Sequence, residues 1–273
     1  MRVLIKRLQH GAAFAVLLLT VAAPCPALCA TEPEQQTGAW WWKGIHQTEP
    51  GAQFAADTLP AALKAVPLSA GRLERYRTRA THGEAEAQFF LATLYAEAEL
   101  QESASAVVRG FSVSQDYPQA LTLYAQAAGQ QHSSAQNNLG LLYAQGKGAA
   151  RDDAQAEAWF RRAALQGHAS AQNNLGVLYE QGRAVERSAT LAASWYRKAA
   201  DQGLPEAQFN LGRMYVSGQG ITADQSLAYV WLSLAAQQRF EPAGTALREL
   251  EGNLSEKALA DAQLHLAEWQ ATT

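Results

Sequence analysis

The sequence predicts an all-α fold, a right-handed α-solenoid of helix-turn-helix repeats, and three observations carry that expectation. Tyr143, Tyr179 and Tyr215 are 36 residues apart, and the same step relates Trp159, Trp195 and Trp231, and Gly140, Gly176 and Gly212. A fixed period of this size marks stacked supersecondary units. Within each step two apolar stripes have helical spacing, and glycines separate them. The composition fits: 48% hydrophobic residues can build a core, and 17% charged residues are too few for a disordered chain. Formal net charge is −3, the pI is about 6.1 and no basic stripe appears, which argues against a nucleic-acid partner.

Residues 1–30 read as a signal peptide. Arg2, Lys6 and Arg7 form a positive start, residues 11–23 are apolar, Pro24 and Pro26 follow, and small residues run to Ala30. The apolar run is too short for a comfortable membrane span. An uncleaved anchor is the alternative. Cleavage removes three of the 22 basic residues and none of the 25 acidic ones, so the mature chain carries −6. It also removes Cys25 and Cys29, leaving no thiol and no disulfide. A lipid anchor on either cysteine competes with this reading, although Pro24 and Leu28 are poor preceding residues. The expected location is periplasmic or secreted, with an outer-membrane lipoprotein as the lesser alternative.

Residues 31–70 form a weakly ordered lead-in, with one short helix expected near Phe54 to Val66 and three adjacent tryptophans, Trp40, Trp41 and Trp42. The repeat solenoid is expected over 71–240. A half-repeat over 72–83 supplies a lone second helix through Tyr76, Ala80 and Gly83. Four repeats follow, over 85–131, 134–167, 170–203 and 206–238. In the second of these, Ala135, Leu139, Leu142 and Tyr143 make one stripe, and Ala156, Trp159, Phe160, Ala163 and Ala164 the other. Asp152, Ser188 and Asp224 are placed to cap the second helices. Gly140 and Ala156 leave room for backbones to approach, while the Tyr and Trp rings fill gaps between pairs. The first copy is stretched: Tyr95 to Asp116 is 21 positions, where Tyr143 to Asp152 is nine, so it carries 12 extra residues near 97–113. Residues 241–273 are expected to cap the stack, with Ser255 opening a last helix through Leu259, Ala262, Leu266 and Trp269.

The recurring string Ala-Gln-Asn-Asn-Leu-Gly-x-Leu-Tyr, Gly-x-Gly, a capping Asp, Trp-Phe/Tyr-Arg-Arg/Lys-Ala-Ala and Gln-Gly resembles the Sel-one-like repeat of the exported bacterial type. That family is a 36-residue relative of the tetratricopeptide repeat. The resemblance covers about residues 72–240. It departs at Ala92, which replaces the glycine, and at Ser188, which replaces the capping Asp. It implies a tetratricopeptide-like superhelix that serves as scaffold or adaptor for protein segments in envelope regulation, secretion, host contact or polysaccharide export. It implies no cofactor and no reaction. The disulfide-bearing branch and its penicillin binding do not carry over, because these repeats lack cysteine.

First helices of stacked hairpins line the concave face. Beside the packing stripe one position reads Phe89, Asn137, Asn173 and Phe209, and the next reads Phe90, Asn138, Asn174 and Asn210. The first set is the candidate binding row, since carboxamides offer both donor and acceptor to an extended peptide. The second set is read as hydrogen-bonding between neighbouring helices. The insertion with Phe111, and Trp40 to Trp42, are secondary candidates; the tryptophans either dock on a partner or bilayer, or fold back over the first helix.

His132 and His168 share a turn position and are read as turn residues, not metal ligands. No Ser-x-x-Lys, Gly-x-Ser-x-Gly or phosphate-loop motif occurs. The function expected is therefore an exported adaptor binding a protein or peptide segment, not an enzyme. The alternative is an envelope enzyme or a polysaccharide-export accessory.

Overall fold

The computed structural model describes residues 69–97 and 114–272. Eleven helices and no strand occur among them, which is the all-α architecture the periodicity demands. The leading helix is α1 (Ala70–Thr81), capped by the Ser69 hydroxyl, which accepts from the Arg72 amide at 3.2 Å. Four helix pairs follow: α2 (Ala85–Glu97) with α3 (Tyr117–Gly129), α4 (Ser133–Gln145) with α5 (Asp153–Leu165), α6 (Ala169–Gln181) with α7 (Ala189–Ala200), and α8 (Pro205–Ser217) with α9 (Gln225–Gln237). Helices α10 (Glu241–Asn253) and α11 (Glu256–Thr272) close the chain against α9. Residues 1–68 and 98–113 lie outside the described part. With them lie the signal segment, both cysteines, Trp40 to Trp42 and Phe111.

Each pair is built the same way. The second helix opens on Asp116, Asp152, Ser188 or Asp224, whose side chain accepts an amide hydrogen from its first turn. The amide of the same residue donates to the carbonyl of Tyr95, Tyr143, Tyr179 or Tyr215 at about the same distance, 3.0, 3.0, 2.9 and 3.1 Å. The long connection between Tyr95 and Asp116 therefore ends in the bond that closes the short ones. The pairs are joined by a residue of positive φ: Gly83, Gly167 and Gly203 at 86°, but Gln131 at 66° and Arg239 at 62°.

Helices within a pair touch where glycine stands. A Cβ on Gly140 would lie 2.7 Å from the Phe160 ring, on Gly176 2.7 Å from the Tyr196 ring, and on Gly212 2.9 Å from Leu232. The second-helix side chains that meet these glycines, Phe160, Tyr196 and Leu232, are buried, as is Tyr124 in the first copy. The Tyr and Trp rings pack between pairs, as the sequence predicts: Tyr143 and Trp159 lie against the cluster around Tyr124 and Leu139, and Tyr179 and Trp195 against the one around Phe160 and Leu175. Trp159 and Trp195 are only half-buried, under the Arg162 guanidinium at 4.4 Å and the Lys198 ammonium at 4.0 Å. Trp231 alone is deeply buried, because Trp269 of α11 packs edge-on against it at 4.9 Å. Tyr143 and Tyr179 are half-buried and Tyr215 is buried.

Helix α10 does not break the register. His132, His168, Leu204 and Phe240 are successive 36-residue steps, and each is the N-cap of a first helix. Their amides donate to Ala127, Ala163, Ala199 and Ala235 respectively. The stack therefore continues one helix further than the sequence pattern shows, and only α11 departs from it.

Candidate partner-binding face

The first helices carry two rows of carboxamides that tie successive repeats together. Gln88, Gln136, Gln172 and Gln208 are buried, and each donates Nε2 to a carbonyl of the preceding second helix, Ala80, Ala128, Ala164 and Ala200. Each Oε1 accepts from the glutamine that ends its own repeat: Gln130 at 2.8 Å, Gln166 at 2.7 Å, Gln202 at 2.7 Å and Gln238 at 2.9 Å. Every link thus joins three consecutive helices. The sequence reading missed this row, although its signal was present: these glutamines keep the repeat step on both helices.

The second row is made of asparagines. Asn174 donates Nδ2 to Asn137 Oδ1 at 2.8 Å, and Asn210 donates Nδ2 to Asn173 Oδ1 at 3.0 Å. Within a helix, Asn137 Nδ2 reaches Asn138 Oδ1 at 3.3 Å and Asn173 Nδ2 reaches Asn174 Oδ1 at 3.4 Å. Asn138 also donates to the Tyr124 hydroxyl at 3.1 Å.

These bonds correct the expected binding row. Asn137 and Asn173 are 0% exposed and serve as inter-repeat acceptors, so their carboxamides hold neighbouring helices together. The reason is geometric: positions 137 and 174 face each other across adjacent first helices, so either residue set alone would leave half the bonds unmade. Phe89 is also buried, its ring 5.9 Å from Tyr124 and 4.8 Å from His132. Phe209 remains half-buried, with its ring 5.6 Å from Phe240.

His132 and His168 act as helix caps, each ring Nδ1 accepting from the amide of Ala135 or Ala171. Among the described residues no group of three or more His, Cys, Asp or Glu side chains is placed to hold a metal ion.

One ionic feature interrupts this regularity. Arg213 donates to both oxygens of Glu180, at 2.5 and 2.6 Å, with the two side chains 9% and 14% exposed. The Tyr196 hydroxyl donates to the same carboxylate at 2.7 Å. Burial, then the Glu180 charge, pushes the Tyr196 phenol well above its ordinary value. One repeat earlier Ala144 and Val177 stand at these two positions. The first-helix face is thus constant in framework and variable in chemistry.

The Sel1 repeat family model matches residues 104–132, 133–168, 169–204 and 205–240. Its first match spans α3, the second helix of the stretched copy. A protective antigen present in uropathogenic Escherichia coli strains, displaying an SLR fold, aligns with a TM-score of 0.65 and 32% identity. The alignment covers 76% of this chain and 42% of that protein, so the chain spans less than half of that relative's length. A Sel1 repeat protein from Oxalobacter formigenes aligns with a TM-score of 0.54 and 28% identity over 66% of this chain and 69% of its own. No curated protein matches. Four matched repeats in register with the helix pairs described above place this chain in the Sel1 repeat family.

Proposed function

We propose that this protein is an exported scaffold that holds a protein or peptide segment along the face formed by α2, α4, α6, α8 and α10. Sel1 repeats generally mediate protein–protein interaction. The observation that carries the reading is the pair of carboxamide rows. The glutamines tie α2, α4, α6 and α8 to their flanking second helices, and the asparagines tie α4, α6 and α8 to one another, so this part of the face is preorganised and ordering it costs a guest little. Side chains at equivalent places then differ, as Ser134, Ser170 and Glu206 do. A constant frame with variable inserts suits recognition of one particular sequence.

Export rests on the positive start and apolar run of residues 1–30. No helix among the described residues is long and apolar enough to cross a membrane. Cell-envelope assembly, regulation or host contact is the setting proposed.

Site-specific photocrosslinking in intact cells tests both parts. A benzophenone amino acid at Ser134 or Phe209 is expected to trap one discrete partner, and the same probe at Arg162 or Lys198 on the second helices is expected to trap none. Equal trapping from both sets would overturn the assignment of binding to the first-helix face, and a protein retained in the cytosol would overturn export.

A further inference from the structure

We infer that the C-terminal end of the first-helix face receives a cationic side chain, a lysine or arginine of the bound segment, at Glu206 and Asn210. The inference rests on the proposed binding of a segment to this face and names the chemistry that the segment must offer.

Asn210 is 1% exposed and its Oδ1 has no hydrogen-bond partner. In α4 and α6 the equivalent oxygens, on Asn138 and Asn174, accept from the Nδ2 of Asn137 and Asn173. In α8 the preceding residue is Phe209, which carries no side-chain N–H. Asn210 Nδ2 still reaches back to Asn173, so only the acceptor half of this carboxamide is left unmatched. A donor arriving there would replace the one that the repeat pattern supplies elsewhere.

Glu206 lies one helical turn before Asn210 on the same face. It stands where the earlier repeats have Ser134 and Ser170, and its Oε2 is buried without a partner. Glu249 of α10, one repeat step beyond Arg213, has a second buried and unpartnered Oε2. Arg213, the basic residue of α8, binds both oxygens of Glu180. The charge is polarised along the stack. Residues 205–272 hold eight acidic against four basic residues, whereas residues 69–97 hold four of each.

A buried acceptor without a donor is costly, and a buried carboxylate without one more so. Lysine brings three donors and arginine five, with the opposite charge. An acidic or wholly apolar guest would leave these oxygens unmatched and is rejected for that reason.

The test is selection of random dodecapeptides, displayed on phage, against the purified protein, followed by fluorescence polarisation with a labelled synthetic copy of the enriched sequence. The expected result is enrichment of Lys or Arg at one fixed position. Replacing that residue by norleucine, or making Glu206→Ser, should weaken binding by about tenfold or more, with added salt weakening it further. Glu206→Ser restores the residue of the earlier repeats, and an unchanged melting temperature certifies its fold. Should that variant melt early, the norleucine peptide on the unaltered protein decides. Peptides that bind without a basic residue, or an unchanged affinity after Glu206→Ser, would overturn the inference and leave the binding face standing. No enrichment at all would overturn both.

Discussion

Asn174 donates to Asn137 at 2.8 Å across 37 residues of sequence, and Asn210 repeats the contact with Asn173 at 3.0 Å. Both ends of each bond are buried. Asn137→Ala removes the acceptor for Asn174 and a donor to Asn138, and is expected to cost about 1–3 kcal/mol. A double-mutant cycle with Asn174→Ala should show coupling of roughly 0.5–3 kcal/mol in urea unfolding. Strict additivity of the two losses would mean that the bond contributes nothing.

Gly176 allows α6 and α7 to meet. Gly176→Ala would place a methyl 2.7 Å from the Tyr196 ring and 3.3 Å from the Ala192 carbonyl, and is expected to destabilise by about 1–3 kcal/mol. Gly244 in α10 has only the end of the Arg248 side chain nearby, at 3.9 Å. Gly244→Ala should therefore stabilise by roughly 0.5–1 kcal/mol through helix propensity. Thermal melts of the two variants should move in opposite directions.

The turn at Gln131 holds a non-glycine residue at φ 66°, where the later turns use Gly167 and Gly203. Left-handed backbone costs an L-residue about 1–2 kcal/mol, offset in part by the greater freedom of glycine in the unfolded chain. Gln131→Gly is expected to raise the urea midpoint by up to about 1 kcal/mol of stability. Gly167→Ala, with no atom near its Cβ, should lower it by about as much. Equal effects of one sign would show that contacts, not backbone conformation, set these turns.

Most of the frame was legible because it depends on local chemistry. The positions of Asp152, Ser188 and Asp224 before an apolar stripe announce helix starts, and the small residues Gly140 and Ala156 announce the close approach of two helices, where a Cβ on Gly140 would lie 3.2 Å from the Ala156 carbonyl. Side-chain pairing between repeats was harder to read. Nothing in a single repeat distinguishes an asparagine facing a guest from one facing the next helix, and Asn137 and Asn173 face the next helix. The register of α10 was hidden because Gly244 and Arg248 replace the glutamine and glycine of the motif, although Phe240 keeps the step.

Asp153 accepts from Arg183 of the following repeat, at 2.5 and 3.1 Å, and from Arg151. The Arg183 guanidinium first, then Arg151, holds its carboxyl well below the usual carboxylate range. A folded-state value below the unfolded one gives stability that is present above about pH 4, the unfolded carboxylate value, and is lost as pH falls below it. The carboxylate is only partly shielded from solvent, so the effect is small, about 1 kcal/mol or less. The difference in stability between the native protein and Asp153→Asn should be constant near neutrality and shrink in acid. A difference that grows on acidification would reverse the assignment.

The Glu180 and Arg213 pair separates stability from recognition. Removing the carboxylate by Glu180→Ala strands a buried guanidinium from its anion and should cost about 3–5 kcal/mol. The double change Glu180→Ala with Arg213→Val installs the residues found at Ala144 and Val177, and the stack already accommodates both. Replacing a whole buried ion pair by packed apolar groups is often neutral, so the double variant should recover most of the loss. If it melts as early as the single variant, the pair is part of the framework, as the glutamines are. If it recovers stability yet loses the trapped partner, the pair is retained for recognition, because a frame that tolerates Ala and Val in the neighbouring repeat has no need of a charge there.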